Sequence, residues 1–245
     1  ERSLTVFQHN LTETAHGLGL ARRAAGERAG KKVPVLTAAQ PIQLRKAALL
    51  PPKVLVIGSS TGGPQALLKL FENLSPKIGI PVLITQHMPP IFTAALAQNI
   101  AKNTGWPYTE AKDGDIIKAG HAYMAPGDYH MVLEQDGEGL VRIRTNQDPP
   151  VNYCRPAVDP MFQSAVRIYG GKILAVILTG MGSDGEKGAA DITKAGGTVI
   201  AQDQETSVVW GMPGAVAASG LCTEILPIEE IAGYLNKTIT GKPAK

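Results

Sequence analysis

The sequence predicts an α/β fold: a doubly wound, mostly parallel sheet with helices on both faces and an antiparallel β-hairpin. From Lys53 onward, short apolar runs alternate with segments whose apolar residues recur at helical spacing. Runs such as "ILAVILTG" are apolar throughout, as expected for parallel strands that helices cover on both sides. Residues 121–146 instead resemble consecutive strands joined by tight turns at 126–128 and 136–139, which predicts a β-meander.

The individual elements follow from the same patterns. The candidate strands are residues 54–58, 81–86, 121–125, 131–134, 172–179 and 197–202. Helices are expected after residue 65, from residue 185, and around 162–169 and 228–235, where apolar residues fall at i, i+3, i+4 and i+7. A further helix is expected within residues 1–23.

Composition narrows the class of protein. Of 245 residues, 44% are hydrophobic and 18% charged, the profile of a chain with a sizeable core. No apolar run approaches the roughly 18–20 residues that cross a bilayer, and the start of the chain has no signal-peptide pattern. Cys154 and Cys222 form no metal-type spacing, which favours free thiols over a disulfide. We therefore expect a soluble, cytoplasmic protein.

The charge is unevenly distributed along the chain. Residues 1–52 hold 8 Lys/Arg and 3 Asp/Glu, which gives this segment a net charge of +5. Since the whole chain has a net charge of +3, residues 53–245 have a net charge of −2. The main body therefore lacks the basic surface that nucleic-acid binding requires. The early segment is rich in Gly, Pro and Ala, which indicates a linker over residues 1–52. Residues 53–238 are then predicted to be the catalytic domain and residues 239–245 a tail.

The turn "GSSTGG" after the first strand has two possible uses, of which the first is phosphate binding. A P-loop would need a lysine after the glycines, but Pro64 stands there and no lysine occurs before Lys69. The spacing of Gly58, Gly62 and Gly63 does not fit a dinucleotide fingerprint either. A nucleotide-binding regulatory module that uses residues 58–63 remains the first alternative hypothesis.

The second use is nucleophilic catalysis by Ser60. A serine at a strand-to-helix turn presents its hydroxyl above the sheet, but it needs a neighbouring base. His87 closes the next apolar strand, and carboxyl ends of parallel strands lie at one edge of the sheet. Asp184 lies in the glycine-rich turn of "ILTGMGSDG" and could orient that imidazole; its alternative role is to cap the following helix. Asp128 is the rival carboxylate, in a predicted hairpin turn.

Six motifs, in order, resemble the chemotaxis protein-glutamate methylesterase family. They are "IGSSTGG", "LITQHMPP", "GHAYMAPGDYHM", "PPVNYCRPAVD", "ILTGMGSDG" and "VVWGMPGAV", and they span about residues 53–235. The resemblance implies a doubly wound α/β fold with Ser60 as nucleophile, His87 as general base and Asp184 as orienting acid. It implies removal of methyl esters from glutamates on the cytoplasmic helices of chemoreceptors, and deamidation of particular glutamines there.

The resemblance also implies details of the mechanism and of the partners. Backbone N–H groups of Thr61 and Met181 are the favoured donors to the oxyanion, with no cofactor and no metal. Members of the family usually carry an N-terminal phosphoacceptor receiver domain, for which residues 1–52 are too short. Two positions depart from the family pattern: Ser59, often alanine, offers a rival hydroxyl, and Cys154 replaces a common histidine. A non-catalytic scaffold that docks receptors is the second alternative hypothesis.

Overall fold

The structure is a computed structural model that describes residues 42–46 and 50–241. The helix predicted within residues 1–23, and most of the predicted linker, lie outside the described residues. Within the described part, no helix is both long and apolar enough to cross a membrane.

A seven-stranded sheet forms the centre of the fold, and every neighbouring pair of its strands is parallel. The strand order is β3-β4-β2-β1-β7-β8-β9, and β5 and β6 form a separate antiparallel pair. The strands are β1 Val54–Ser59, β2 Val82–Gln86, β3 Tyr108–Glu110, β4 Ala122–Met124, β5 His130–Gln135, β6 Val141–Asn146, β7 Ile173–Ile177, β8 Thr198–Gln202 and β9 Glu224–Leu226.

Six helices among the described residues cover both faces of this sheet. They are α1 Gly63–Asn73, α2 Phe92–Thr104, α3 Val158–Tyr169, α4 Glu186–Lys194, α5 Met212–Ala218 and α6 Ile228–Thr240. Apolar residues of α1, α2 and α6 form one core cluster, while those of α3, α4, α5 and the β5–β6 hairpin form the other. The predicted fold class, a doubly wound α/β sheet with an antiparallel hairpin, is therefore confirmed.

Strand β1 shows why continuous apolar runs mark the central strands. Val54 and Val56 belong to one core cluster, whereas Leu55 and Ile57 belong to the other, and all four are fully buried. Successive side chains of a strand point to opposite faces, so a strand covered on both sides is apolar at every position.

The predicted meander is wrong in its first half. Strand β4 does not pair with β5 but joins the large sheet, parallel to β2 and β3. All three residues of β4 are buried, as a strand between two helical layers requires. The turn after it, residues 126–128, therefore connects two sheets, and only the turn at 136–139 closes a hairpin. Strands β3 (Tyr108–Glu110) and β9 (Glu224–Leu226) were not predicted, because neither is a continuous apolar run.

The order of the strands determines where on the sheet a functional site can form. Strand β1 lies between β2 and β7. On one side the chain passes from β2 to the edge strand β3 and returns to β4 between them; on the other side it runs outward through β7, β8 and β9. Helix α1 follows β1 onto one face, and α4 follows β7 onto the other. In open α/β sheets such a reversal leaves a crevice at the carboxyl ends of the central strands, where ligands bind. Ser60, His87 and Asp184 all follow strands at this reversal.

Candidate active site

The turn after β1 holds Ser60 at the edge of the sheet. The Ser60 N–H donates to the carbonyl of Thr179, and its own carbonyl accepts from the N–H of Gly63 (3.0 and 2.8 Å). Gly62 has a φ of 81°, a left-handed conformation that favours glycine. Gly180 packs so close that a Cβ there would lie 2.8 Å from the Ser60 Cβ. The Ser60 side chain is therefore held between two glycine-rich turns.

The structure distinguishes Ser60 from its neighbour Ser59. Ser59 is fully buried, and its hydroxyl donates to Oε1 of Gln86 at 2.7 Å. The Gln86 amide in turn donates to the carbonyls of Ser60 and His87 (2.9 and 3.0 Å). Ser59 thus stabilises the turn from its buried side, whereas Ser60 is partly exposed. Of the two hydroxyls, only that of Ser60 is open to a substrate.

His87 is anchored to both neighbouring strands. Its backbone N–H donates to the carbonyl of Ser59 at 3.0 Å, which ties the end of β2 to the turn after β1. Its Nε2 lies 2.7 Å from Oδ2 of Asp184. Since Nε2–H donates its hydrogen bond to Asp184, the neutral ring presents Nδ1 as its basic nitrogen. That nitrogen lies 3.4 Å from the Sγ of Cys154.

The Asp184 carboxylate has more partners than either sequence hypothesis foresaw. It accepts hydrogen bonds from the backbone N–H groups of Val158 (2.6 Å), Asp159 (3.2 Å) and Gly185 (3.0 Å). The first two are the first residues of α3, so Asp184 caps that helix. It does not cap the helix that follows it, because the N-cap of α4 is Gly185 and that position has no side-chain cap. Capping and imidazole binding are therefore combined in one buried side chain.

The two charges hold each other in the ionised state. Burial lowers the pKa of His87, but its hydrogen bonds and charge interactions with Asp184 and Cys154 outweigh that effect and raise the pKa to about 9. Burial raises the pKa of Asp184, but the hydrogen bond from His87 and those from the backbone lower it below its usual range. At neutral pH the pair is therefore an imidazolium and a carboxylate.

Two residues of the site were missed by sequence reasoning. The amide of Asn152 donates to Oδ1 of Asp184 (3.0 Å) and to Oδ2 of Asp159 (3.2 Å), and so bridges the two acids. Asp159 also accepts from the N–H of Gly188 at 2.8 Å; burial raises its pKa above the usual range. Asn152 and Asp159 both lie in the motif "PPVNYCRPAVD", one on each side of Cys154. Their polar side chains in this motif could have indicated that they belong to the site.

The predicted oxyanion donors lie in the two turns beside Ser60. Thr61 follows Ser60 directly, and its carbonyl accepts from the Thr179 hydroxyl at 2.9 Å. Met181 follows Gly180, and its side chain is 67% exposed. Among the residues that the structure describes, neither amide donates to another protein group. Both N–H groups are thus open to an acceptor, and their role stays a prediction.

The competing roles have structural explanations. Asp128, the rival carboxylate, accepts two hydrogen bonds from the guanidinium of Arg155 (2.7 and 3.0 Å), whereas the His87 ring is bound to Asp184 and Cys154. Lys69, the nearest lysine after the glycine turn, pairs with Glu229 and offers no free cation for a phosphate. Within the described residues, no group of three His, Cys, Asp or Glu side chains is arranged to hold a metal ion.

Fold and site together define a doubly wound α/β protein with a serine, a histidine and a buried aspartate at the carboxyl edge of its sheet. Residues 55–235 match the model of the CheB methylesterase family. The chain therefore belongs to that family, which confirms the resemblance.

Individual relatives support the same assignment. The protein-glutamate methylesterase/protein-glutamine glutaminase 1 of Rhodospirillum rubrum is 51% identical over 94% of this chain and 64% of its own length. The corresponding protein of Azospirillum brasilense is 47% identical over 95% and 63%. The crystal structure of the Thermotoga maritima CheB methylesterase catalytic domain superposes with a TM-score of 0.74 at 43% identity, covering 77% of this chain and 99% of that one.

The chain thus spans about two thirds of the length of these curated relatives, 64% and 63% in the two cases. It covers almost the whole of the solved catalytic domain.

Proposed function

We propose that this chain is a serine hydrolase that removes methyl esters from glutamate side chains of chemoreceptors and deamidates particular glutamines there. The reaction would reset receptor adaptation in chemotaxis. The observation that carries the proposal is the short contact of 2.7 Å between His87 and the buried Asp184, beside the turn that exposes Ser60. Membership of the CheB methylesterase family supplies the substrate class.

The proposed first step uses the neutral form of His87, which is the minor form at neutral pH because the pKa of the ring is raised to about 9. The Ser60 oxygen attacks the γ-carbonyl of the glutamyl ester while Nδ1 of the neutral ring accepts its proton. Nδ1 has this role because Nε2 is bound to Asp184. Asp184 keeps the ring in the required tautomer and stabilises the imidazolium that forms. The Cys154 sulfur lies 3.4 Å from the same nitrogen, so it must yield this position as the serine proton arrives.

The tetrahedral intermediate needs donors for its oxyanion. The N–H groups of Thr61 and Met181 are suited to this role, since they are not used within the protein. One such donor commonly contributes about 3–4 kcal/mol to transition-state stabilisation. His87 then protonates the departing methanol, or ammonia when the substrate is a glutamine. Water attacks the acyl-enzyme by the reverse proton transfer, which regenerates Ser60.

Exposed apolar side chains near the site support a protein substrate. Phe92 (59% exposed) follows β2, Met181 follows β7, and Val208 (69% exposed) follows β8 and packs against the turn at Gly62. Tyr153 is fully exposed beside Cys154. Apolar groups around a polar centre are typical of protein-binding surfaces, so the cytoplasmic helices of a receptor suit this rim.

The domain limits are part of the proposal. The family match over residues 55–235 supports a catalytic domain over residues 53–238, with residues 1–52 as a linker and 239–245 as a tail. The relatives are longer than this chain, which leaves room for a further domain. We propose a phosphoacceptor receiver domain N-terminal to residue 1 as the regulatory partner.

Methanol release from a methylated chemoreceptor tests the proposal directly. The wild-type chain should release methanol, and a serine-directed fluorophosphonate should label Ser60 and stop the release. Ser60→Ala should neither release methanol nor take the label. Receptor binding without methanol release would favour the scaffold. A thermal shift with ATP or a dinucleotide, without phosphonate labelling, would favour the nucleotide-binding module.

A further inference from the structure

Cys154 lies where a chemical change would reach the base of the site. Its Sγ is 3.4 Å from Nδ1 of His87, the nitrogen that Asp184 does not occupy. Its side chain is partly exposed, between the fully exposed Tyr153 and the partly exposed Arg155. Small molecules that reach the active site can therefore also reach this sulfur.

The surroundings favour a reactive sulfur. An imidazole next to a thiol can accept its proton and leave the sulfur in its nucleophilic form. The carboxylate of Asp184, on the other side of the ring, stabilises the imidazolium that this proton transfer forms. The arrangement from carboxylate to imidazole to sulfur is the one that activates cysteine nucleophiles in general.

The other cysteine provides an internal comparison. Cys222 is fully buried, and burial raises the pKa of its thiol to about 12. Its backbone carbonyl accepts from the N–H of Arg45, but no acid or imidazole is paired with its sulfur among the described residues. Buried thiols of this kind are inert.

We propose that Cys154 is an oxidation site for hydrogen peroxide or a small organic hydroperoxide, and that its sulfenic acid blocks Nδ1 of His87. The oxidation of Cys154 does not depend on the proposed function; only the predicted loss of activity rests on it. Nδ1 of His87 accepts the thiol proton as the sulfur attacks one peroxide oxygen; an S–O bond forms and the O–O bond breaks. The leaving hydroxide, or the alkoxide of an organic hydroperoxide, takes this proton from Nδ1 and departs as water or as an alcohol. Sulfur is oxidised by two electrons and the peroxide is reduced.

The product explains the block and its reversal. The sulfenic acid places an additional oxygen beside Nδ1, and its hydroxyl competes for the hydrogen bond that the Ser60 hydroxyl needs to make there. A small thiol displaces the hydroxyl as water and forms a mixed disulfide, and a second thiol then releases Cys154 in its reduced form. The modification is therefore reversible as long as it stops at the sulfenic acid.

The first test measures oxidation without reference to activity. The full chain is treated with hydrogen peroxide, the sulfenic acid is trapped with dimedone, and adducts at Cys154 and Cys222 are quantified by peptide mass spectrometry. We expect Cys154 to be labelled at least about tenfold faster in the native chain than in urea, and Cys222 only in urea. His87→Gln should remove the native advantage, with Cys222→Ser as the matched control. Equal rates for Cys154 in native and unfolded protein would overturn the proposal.

The second test measures the block. In the wild-type chain, peroxide should abolish the labelling of Ser60 by a fluorophosphonate, and dithiothreitol should restore it. In Cys154→Ser, the labelling of Ser60 should stay at the level which that variant shows before peroxide is added. Undiminished labelling of a chain whose Cys154 is fully trapped would overturn the block. Absence of labelling before any peroxide would instead contradict the proposed hydrolase function, and the dimedone rates would still decide the oxidation site.

Discussion

The carboxyl edge of the sheet and the β5–β6 hairpin use charged side chains in opposite ways. At the edge, His87 and Asp184 are 10% and 2% exposed and lie 2.7 Å apart. On the hairpin, Arg144 and Glu134 are 46% and 59% exposed and lie at a similar distance of 2.6 Å. Distance alone therefore does not distinguish the two pairs. Burial distinguishes them, because water solvates the charges of the exposed pair. The buried pair has little contact with water and therefore depends on its protein partners.

The comparison extends to the partners around each pair. Asp184 accepts from three backbone N–H groups and from Asn152, so its removal would leave several buried donors without acceptors. Arg144 has a second acid, Asp113, at 3.4 Å, and water can replace either. We therefore expect substitution of Asp184 to affect both activity and stability, and substitutions on the hairpin to affect neither strongly.

The largest expected effect is that of Ser60→Ala on methanol release. Loss of the nucleophile of a serine–histidine–aspartate site costs on the order of 10⁶-fold in kcat. The Tm should change little, because the Ser60 hydroxyl has no hydrogen-bond partner among the described residues. The measurement is kcat/KM on a methylated receptor, with the Tm as the check on folding.

Two controls sharpen this prediction. Ser59→Ala removes the donor to Oε1 of Gln86, so it should lower stability by about 1–2 kcal/mol and activity far less than Ser60→Ala does. The double variant Ser60→Ala/His87→Ala should be no slower than Ser60→Ala, since the base then has no alcohol to deprotonate. Multiplying losses would mean that the two residues act independently.

The next effect is that of Asp184→Asn. The amide has no charge to stabilise the imidazolium, and its NH2 group can donate to Nε2 and favour the wrong tautomer, so we expect kcat to fall about 10⁴-fold. Stability should also fall, by about 3–5 kcal/mol, because the charge of a buried pair is removed and the first turn of α3 loses an acceptor. Urea unfolding measures this loss. A variant as stable as the wild type would show that Asp184 serves only the imidazole.

How far these residues could be predicted from sequence depends on the range of their interactions. Ser60, His87 and Asp184 follow strands, and parallel topology alone brings strand ends together, so their common edge was predictable. The hydrogen bonds that Asp184 accepts from the start of α3 were not predictable, because they join segments that no local pattern connects. Strand β4 was predicted as a strand but assigned to the wrong partner, since three residues carry little information on pairing.

The pH dependence gives a third, smaller effect. Since the pKa of His87 is raised to about 9 from 6.5, kcat/KM should rise roughly tenfold per pH unit from pH 7 and level off near pH 9. The groups that face His87 are Asp184 and Cys154, with Asp159 behind Asp184. Cys154→Ala removes one partner that raises the pKa, so the whole profile should shift to lower pH. A profile that levels off near pH 6.5 would contradict this.

The same shift has the opposite consequence for stability. A histidine whose pKa is raised in the folded state stabilises that state fully below its unfolded value of 6.5. The contribution is lost as the pH rises through about 9. Between pH 7 and pH 9 the chain should therefore become more active while the stabilisation from His87 declines, which Tm measurements across that range can follow.

The smallest expected effect belongs to the hairpin. Glu134→Gln removes the negative partner of Arg144, but both side chains are about half exposed and Asp113 remains near the guanidinium. Exposed ion pairs contribute little because water solvates each charge and salt screens the rest. We expect the Tm to stay within about 1 °C of the wild-type value at physiological ionic strength, with kcat/KM unchanged. The decisive comparison is with Asp184→Asn, which also replaces one acid by its amide at a similar charge separation. If Glu134→Gln lowered the Tm as much as Asp184→Asn, burial would not be the property that separates the two regions.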